Sequence, residues 1–204
     1  MSVTILLLAA GASSRMRGAD KLLEPLQGEP LLRRSARTAL ASRAQDTLVV
    51  LGANRPDRER ALAGLPIRTV ANMNWREGMG SSIAAGAAAV APRTRGVVVL
   101  PADMPDITPA LLDTLIAALP PDAPGTILRP RMSTGTPGNP VLFGAAHLPA
   151  LAALEGDAGA RAVIDRNRDA LRYVETGDTA ILTDLDTPEA WAAYRAMRGD
   201  RGRS

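Results

Sequence analysis

The chain has 204 residues, which fits a single domain that can bury a full core without disulfides or a structural metal. It has no cysteine and one histidine, which excludes disulfides, thiolate metal sites and histidine clusters, so any metal would be held by oxygen ligands, as magnesium is. Its 24 basic and 21 acidic residues give a net charge of only +3, and with 2% aromatic residues this argues against a nucleic-acid partner.

Apolar strand-like segments alternate with helical patterns along the first 120 residues. The predicted strands are Thr4–Leu8, Thr47–Leu51, Ile67–Val70 and Val97–Leu100, and the predicted helices are Pro30–Ala41, Pro56–Ala63, Ser81–Val90 and Thr108–Leu119. Because strands that are apolar throughout are buried on both faces, the alternation predicts an α/β fold with a doubly wound, mostly parallel sheet in three layers.

The second half of the chain has a less regular pattern. A Pro/Gly-rich stretch around Thr126–Arg129 interrupts the alternation, and the later elements are predicted to be strands at Val141–Phe143 and Leu171–Val174 and helices at Ala145–Leu154, Ala158–Asn167 and Pro188–Met197. We expect one domain over residues 1–197, whose last third forms the wall of a second substrate site. A basic flexible tail over residues 198–204 follows.

The apolar start of the chain superficially resembles a signal peptide. No basic residue precedes Val3–Ala10, and the run is short for the apolar region of a signal peptide. No other segment is long enough to span a membrane. We therefore expect a first buried strand, no membrane partner and a cytoplasmic location.

A glycine-containing loop follows the first predicted strand and has the composition of a phosphate-binding site. At the carboxyl end of this strand, small residues let backbone N–H groups approach phosphates closely: Leu8 is followed by Ala9, Ala10, Gly11, Ala12 and Ser13. Arg15 and Lys21 would neutralise a triphosphate, and Lys21 is the only lysine in the chain. The spacing is neither Gly-x-Gly-x-x-Gly nor that of a P-loop, which argues against a dinucleotide dehydrogenase or a P-loop kinase.

Two further segments are predicted to reach the same edge of the sheet. Asp103 follows Ala102 after the strand Val97–Leu100, where its carboxylate would bind Mg²⁺ bridging the phosphates, although a turn aspartate has the same pattern. The segment from Asn72 to Ser82 includes Gly78 and offers donors to a base, a ribose or an anion, although helix capping alone would explain its serines. The tryptophans and tyrosines, Trp75 among them, are interpreted as packing residues.

Together these motifs resemble the MobA-like nucleotidyltransferases, and especially the molybdenum cofactor cytidylyltransferases. The resemblance extends from Leu8 to Glu189. It rests on these motifs: Leu-Ala-Ala-Gly-x-Ser-Ser-Arg-Met with Lys21, Gly-Met-x-Ser-Ser at 78–82, Asp-Met-Pro at 103–105, Gly-Asn-Pro at 138–140, Gly-Asp-x-Gly-Ala-Arg at 156–161 and Asp-x-Asp-Thr-Pro-Glu at 184–189. It implies a Rossmann-like fold of the nucleotide-diphospho-sugar transferase type.

The resemblance also implies a role for each motif. The nucleotide would be bound by the loop residues Leu8–Ser13, Arg15 and Lys21, together with Asn72, Gly78, Ser82 and Ala102, with Ser82 at the base. Asp103 would hold Mg²⁺, and Asp186 is our candidate for the second metal ligand, with Asp157 as the other candidate. The Leu-Ala-Ala-Gly sequence indicates CTP rather than GTP, because the Ala10 methyl narrows the space for a purine. The segments facing the pterin substrate would contribute the acceptor-binding residues Gly138, Asn139, Asp157 and Arg161.

The implied reaction is transfer of CMP from CTP to the terminal phosphate of molybdenum cofactor (molybdopterin), with release of pyrophosphate. Lys21, Arg15 and Asp103 would be catalytic through charge neutralisation, and the product would go to a molybdoenzyme or its chaperone. Other hypotheses remain. The donor would be GTP, or the acceptor a sugar phosphate or polyol phosphate; the chain would be a nicotinamide-dependent oxidoreductase; or it would be a non-catalytic protein that delivers the cofactor.

Overall fold

The computed structural model describes residues 2–177 and 179–198. The strands in these ranges are β1 Val3–Ala9, β2 Pro25–Leu26, β3 Glu29–Pro30, β4 Asp46–Leu51, β5 Arg68–Ala71, β6 Gly96–Pro101, β7 Ile127–Arg131, β8 Val141–Gly144 and β9 Leu171–Glu175. The α-helices are α1 Leu31–Leu40, α2 Arg55–Ala61, α3 Met79–Ala88, α4 Pro109–Ala117, α5 Leu148–Ala152, α6 Arg161–Arg166 and α7 Pro188–Arg198. No helix in this part of the chain is long and apolar enough to cross a membrane.

The central sheet is built around β1. Among the described residues it has seven strands in the order β5-β4-β1-β6-β8-β7-β9, in which β8 runs antiparallel to its neighbours and the remaining pairs are parallel. The chain builds outward from β1 through β4 and β5, and then crosses to the other side of β1 to form β6. The loops therefore diverge at the carboxyl ends of β1 and β6, which is where open α/β sheets bind ligands.

Alternate side chains of β1 enter hydrophobic cores on opposite faces of the sheet. Ile5 and Leu7 are fully buried in a core that includes residues of α1, α4 and α7. Leu6 is equally buried in a second core, to which α3, α5 and α6 contribute. The prediction of a mostly parallel, doubly wound sheet in three layers is therefore confirmed.

The Pro/Gly-rich interruption contains a strand that the sequence analysis missed. Residues Ile127–Arg131 form β7, which pairs antiparallel with β8 and parallel with β9. Pro130 has no backbone N–H to give to a sheet, and such a residue in a short segment argues against a strand when only the sequence is read. The pairing with β8 and β9 overrides this local preference and places Arg129 beside the site described below.

The start of the predicted basic tail is helical. Arg198 is the last residue of α7, and its guanidinium donates to the Asp106 carboxylate. The other residues of the predicted tail, 199–204, lie outside the described residues.

Candidate active site

A cavity of about 360 Å³ lies at the carboxyl ends of β1 and β6. The loop after β1, the end of β6, the start of α3 and two later segments contribute its walls. The lining residues are Leu8, Ala10, Gly11, Ala12, Ser13, Ser14, Arg15, Lys21, Leu22, Trp75, Gly78, Met79, Ser82, Pro101, Asp103, Asp157 and Asp186. Most of the predicted nucleotide-binding residues are therefore brought together at this edge of the sheet.

The floor of the cavity is the loop between β1 and Lys21. It makes a 3-10 turn at Ser14–Met16, and the buried Met16 side chain attaches this turn to the core. A Cβ atom added to Gly11 would meet nothing within 4 Å, so the space beside this backbone is open. The loop thus offers an unobstructed backbone surface of the kind that binds phosphates.

Four charged side chains converge on the cavity from three distant parts of the chain. Lys21 Nζ donates to Asp103 Oδ2 at 2.5 Å and also to Asp186 Oδ1. Arg15 Nη2 donates to Asp186 Oδ2 at 2.5 Å. The Lys21, Asp103 and Asp186 side chains are only 15%, 16% and 18% exposed, so the two ion pairs of Lys21 are poorly screened by water, whereas the Arg15 side chain is exposed.

The pKa values in this cluster show which charges dominate. Burial by itself lowers the pKa of the Lys21 amine, but the neighbouring Asp103 and Asp186 carboxylates outweigh it and raise that pKa. Burial raises the pKa of Asp186, yet Lys21 and Arg15 bring it below its ordinary value. Burial and the charges of Asp186 and Asp103 raise the pKa of Asp184. The site therefore concentrates negative charge, which Lys21 and Arg15 neutralise.

The carboxylates of this cluster fit a hard divalent cation. Asp103 and Asp186 both contact the single cationic atom Lys21 Nζ, so their oxygens already face a common point. In residues 2–177 and 179–198, no group of three or more His, Cys, Asp or Glu side chains is placed to hold a metal ion. Mg²⁺ needs no such group, because it commonly binds one or two carboxylates and completes its shell with substrate phosphates and water.

Three residues predicted to bind the nucleotide lie behind the cavity lining. The Ala9 carbonyl accepts a hydrogen bond from Arg58 Nη1, and the Ala102 carbonyl accepts one from Ser35 Oγ. The Asn72 amide donates to the hydroxyls of Ser81 and Ser82, which fixes the Ser82 side chain at the start of α3. These residues support groups of the lining from behind.

A second cavity, of about 900 Å³, adjoins the first and shares Leu8, Met79, Pro101 and Asp157 with it. Of the predicted acceptor-binding residues, Asn139, Asp157 and Arg161 line it. Gly138 does not: a Cβ atom there would lie 2.3 Å from the Ile181 carbonyl oxygen, so this residue is packed against a neighbouring segment.

Several side chains that line these cavities were not among the predicted site residues. Trp75, interpreted as a packing residue, is half-buried and lines the first cavity beside Gly78. Gly52 makes room for it, because a Cβ atom on Gly52 would lie 2.6 Å from Trp75 Cβ. Arg129, Arg168 and Tyr173 line the second cavity. The position of Trp75 within the predicted 72–82 segment was a usable signal, whereas Arg129 lies on the strand that was not predicted.

Comparisons with known proteins place this geometry in a family. The model of the MobA-like NTP transferase domain matches residues 5–172. The chain is 34% identical over 195 residues to nicotine blue oxidoreductase of Paenarthrobacter nicotinovorans, covering 92% of this chain and 93% of that protein. It is 32% identical over 199 residues to purine catabolism protein PucB of Bacillus subtilis (strain 168), with the same two coverages, 92% and 93%. The crystal structure of Rv0371c from Mycobacterium tuberculosis H37Rv is similar over 97% of each chain, with a TM-score of 0.81 and 27% identity.

Proposed function

This chain belongs to the MobA-like NTP transferase domain family, and we propose that it transfers CMP from CTP to the terminal phosphate of a molybdopterin-type cofactor. The observation that carries the proposal is the convergence of Lys21, Arg15, Asp103 and Asp186 on the cavity between β1 and β6. Two cations and two carboxylates around an open, small-residue loop suit a bound triphosphate with its divalent cation.

The chemistry needs positioned charge more than it needs a base. An oxygen of the acceptor phosphate attacks the α-phosphorus of CTP, the bond to the α–β bridging oxygen breaks, and pyrophosphate leaves with the electron pair. The acceptor phosphate is already ionised, so no proton has to be removed. Lys21 and Arg15 neutralise the charge on the triphosphate as it develops. Mg²⁺ held by Asp103 and Asp186 would neutralise phosphate charge at the same place.

The first cavity supports a pyrimidine nucleotide. Ala10 lines it, and an alanine at this position would leave less room for the base than a glycine, which favours cytosine over the larger guanine. Ser82 and Trp75 also line it, and there a hydroxyl can contact a base edge and an indole can contact a base face.

The second cavity supports a large anionic acceptor. Its volume of about 900 Å³ exceeds that of the first cavity, and its three arginines, Arg129, Arg161 and Arg168, outnumber its two aspartates, Asp157 and Asp165. Asp165 pairs with both Arg161 and Arg168. Arginine is well suited to bind phosphate because its planar guanidinium offers paired donors. Leu8, Met79, Pro101 and Asp157 belong to both cavities, so an acceptor seated here lies next to the nucleotide site. The product of the transfer reaction would be passed to a molybdoenzyme or its chaperone.

One relative suggests a second candidate function. Its name, nicotine blue oxidoreductase, bears on the oxidoreductase alternative of the sequence analysis, for which a nicotinamide dinucleotide would be the ligand of the same crevice. The loop after β1 lacks the Gly-x-Gly-x-x-Gly spacing that lets a helix start approach a pyrophosphate, which weighs against this alternative.

Pyrophosphate release tests the proposal directly. The protein is incubated with Mg²⁺, molybdenum-loaded pterin cofactor and either CTP or GTP, and pyrophosphate is measured with and without the acceptor. We expect release with CTP that depends on the acceptor. Release with GTP but not with CTP would overturn the assignment of cytosine as the base. Release only with sugar or polyol phosphates would overturn the assignment of a molybdopterin-type cofactor as the acceptor. Binding of CTP without any release would indicate a delivery protein, and binding of NADH in place of CTP would favour the oxidoreductase.

A further inference from the structure

The loop between β1 and Lys21 has a backbone that requires support from outside. Ser13 and Arg17 adopt left-handed conformations with φ of 55° and 53°, which are unfavourable for residues other than glycine. A loop in such conformations keeps its shape only where surrounding contacts determine it. The relevant contacts come from a side chain on α2.

Arg58 connects the two ends of this loop. Its Nη1 donates to the Ala9 carbonyl at 2.7 Å, where the loop leaves β1. Its Nε and Nη2 each donate to a carboxylate oxygen of Asp20 at 2.9 Å, immediately before Lys21. Such a two-bond pairing fixes orientation as well as distance, which a lysine ammonium cannot do.

Asp20 distributes this attachment over the rest of the loop. Its carboxylate also accepts from the Leu22 backbone N–H at 3.0 Å, from Ser13 Oγ at 3.2 Å and from Asn54 Nδ2 at 3.0 Å. Ser13 Oγ in turn accepts from the Lys21 backbone N–H at 3.2 Å. The left-handed Ser13 and the backbone of Lys21 are therefore both tied to the Arg58–Asp20 pair.

The pair is too deep to act on a ligand itself. Arg58 is 0% exposed and does not line either cavity. Burial raises the pKa of Asp20, but the hydrogen bonds and charge of Arg58 outweigh it and lower that pKa, so this carboxylate stays ionised. A buried ion pair is often no more stabilising than apolar residues of the same size, so general stability does not account for its presence.

We propose that Arg58 and Asp20 are positioning residues that hold the loop in its phosphate-binding shape before the nucleotide arrives. The inference rests on the proposed function in one respect, namely that the loop binds the triphosphate. A loop that is already ordered binds its ligand more tightly because less conformational freedom is lost on binding.

The test uses the double variant Arg58→Met/Asp20→Asn, which removes both buried charges together. Arg68→Met/Asp46→Asn is the matched control, because this Arg–Asp pair joins β4 and β5 away from both cavities. Three quantities are measured: the free energy of unfolding in denaturant, hydrogen exchange of residues 9–22, and the dissociation constant for CTP with Mg²⁺. The double variant should exchange faster in residues 9–22 and bind CTP at least about tenfold more weakly, while the control pair changes neither.

The outcomes separate this inference from the proposed function. If the wild-type protein binds CTP and the folded double variant binds it equally well with unchanged exchange, the positioning role is overturned while the proposed function stands. If the wild-type protein binds no nucleoside triphosphate, both are overturned. A merely structural role predicts a lower free energy of unfolding without a change in the dissociation constant of the folded protein.

A milder variant covers the case in which the double variant fails to fold. Asp20→Asn keeps the side-chain shape and leaves Arg58 its bond to the Ala9 carbonyl, but it weakens the attachment next to Lys21. It should show faster exchange at residues 13–22 and weaker CTP binding. Unchanged values for both would contradict the proposal.

Discussion

Lys21 is the residue that connects the two carboxylates of this site. It is the only lysine of the chain, and its Nζ bridges Asp103 and Asp186. Loss of a positioned charge typically lowers turnover by about a hundredfold or more, so Lys21→Ala and Asp103→Ala should each reduce pyrophosphate release by at least about that factor. The measurement is the rate at saturating CTP and acceptor, with folding checked by circular dichroism.

A matched control separates this effect from general loss of positive charge. Arg37 on α1 is an exposed cation that pairs with Glu29 and lines neither cavity of the active site. Arg37→Ala should leave the rate unchanged, because exposed ion pairs contribute little. Near-normal turnover of Lys21→Ala or of Asp103→Ala would refute the assigned roles.

The position of a residue at the site could be predicted from the sequence where the neighbouring residues indicate it. It could not be predicted where the residue's contacts are distant in the sequence. Lys21 and Asp103 each follow a strand that is apolar throughout, so their convergence at one sheet edge could be inferred. Arg58 could not be found in this way, because nothing near it in the sequence shows that its guanidinium reaches Ala9 and Asp20. A buried arginine is recognised only when the packing around it is known.

The start of α3 depends on close backbone contact with the segment before α6. Gly80 N donates to the Gly156 carbonyl at 2.8 Å, and a Cβ atom on Gly80 would lie 2.6 Å from that oxygen and 2.7 Å from the Glu155 carbonyl oxygen. Gly80→Ala must push these backbones apart, which typically costs about 1–3 kcal/mol. The gain in helix propensity is at most about 1 kcal/mol, so we expect a net loss of about 1–2 kcal/mol in the free energy of unfolding.

The same variant should also affect acceptor binding, because the displaced segment contains Asp157, which lines both cavities. Denaturant unfolding and the acceptor KM measure the two effects. Gly125→Ala is the control, since a Cβ atom there meets nothing within 4 Å. Equal stability of the two variants would show that the contact at Gly80 is not tight.

Helix α7 is attached to the rest of the fold through a tyrosine whose ionisation can be followed directly. Tyr194 Oη donates to Asp106 Oδ1 at 2.6 Å. Burial, followed by the Asp106 hydrogen bond and charge, raises the pKa of Tyr194 from 10.0 to about 12. A raised folded-state pKa stabilises the neutral phenol, so its contribution is complete below pH 10 and is lost as the pH rises through about 12.

Tyr194→Phe should therefore show a smaller loss of stability between pH 10 and pH 12 than the wild-type protein. Tyr173→Phe is the control, because Tyr173 is 43% exposed and is the only other tyrosine of the chain. Tyrosinate absorbance during an alkaline titration gives the pKa itself. An identical pH dependence for Tyr194→Phe and wild type would contradict the assignment.

Strands could be predicted from the sequence where their own residues indicate them, and could not where they depend on pairing with distant strands. Strands β1, β4 and β6 were predictable because burial on both faces makes them apolar throughout, as in Leu48–Leu51. Strand β7 was not, since Pro130 opposes a strand locally and only pairing with β8 and β9 stabilises it. The lining of the second cavity includes Arg129 of β7, so its arginines were only partly foreseen.

At the scale of the whole molecule, the active site joins the two ends of the chain. The loop after β1 is paired with the segment leading into α7 through Arg15 with Asp186 and Arg17 with Glu189. Arg195 on α7 also donates to the Glu24 carboxylate. The site is therefore complete only when the C-terminal segment has packed onto the sheet, and ligands that bind there act on contacts between distant parts of the chain.

This arrangement predicts that Mg²⁺ and CTP reinforce each other's binding. A metal ion that binds alone must displace Lys21 from Asp103 and Asp186, whereas a triphosphate that binds alone draws Lys21 and Arg15 away and leaves the carboxylates unpaired. Together the ligands satisfy both sets of charges, so each should raise the affinity for the other by about tenfold or more. Lys21→Met removes the cation that contacts both carboxylates, and it should bind Mn²⁺ more tightly than wild type in the absence of nucleotide, measured by calorimetry. In Lys21→Met, the factor by which the metal ion and CTP raise each other's affinity should fall to the value expected from metal–CTP complex formation in solution. Weaker or unchanged Mn²⁺ binding by Lys21→Met would show that Lys21 does not compete with the metal for these carboxylates.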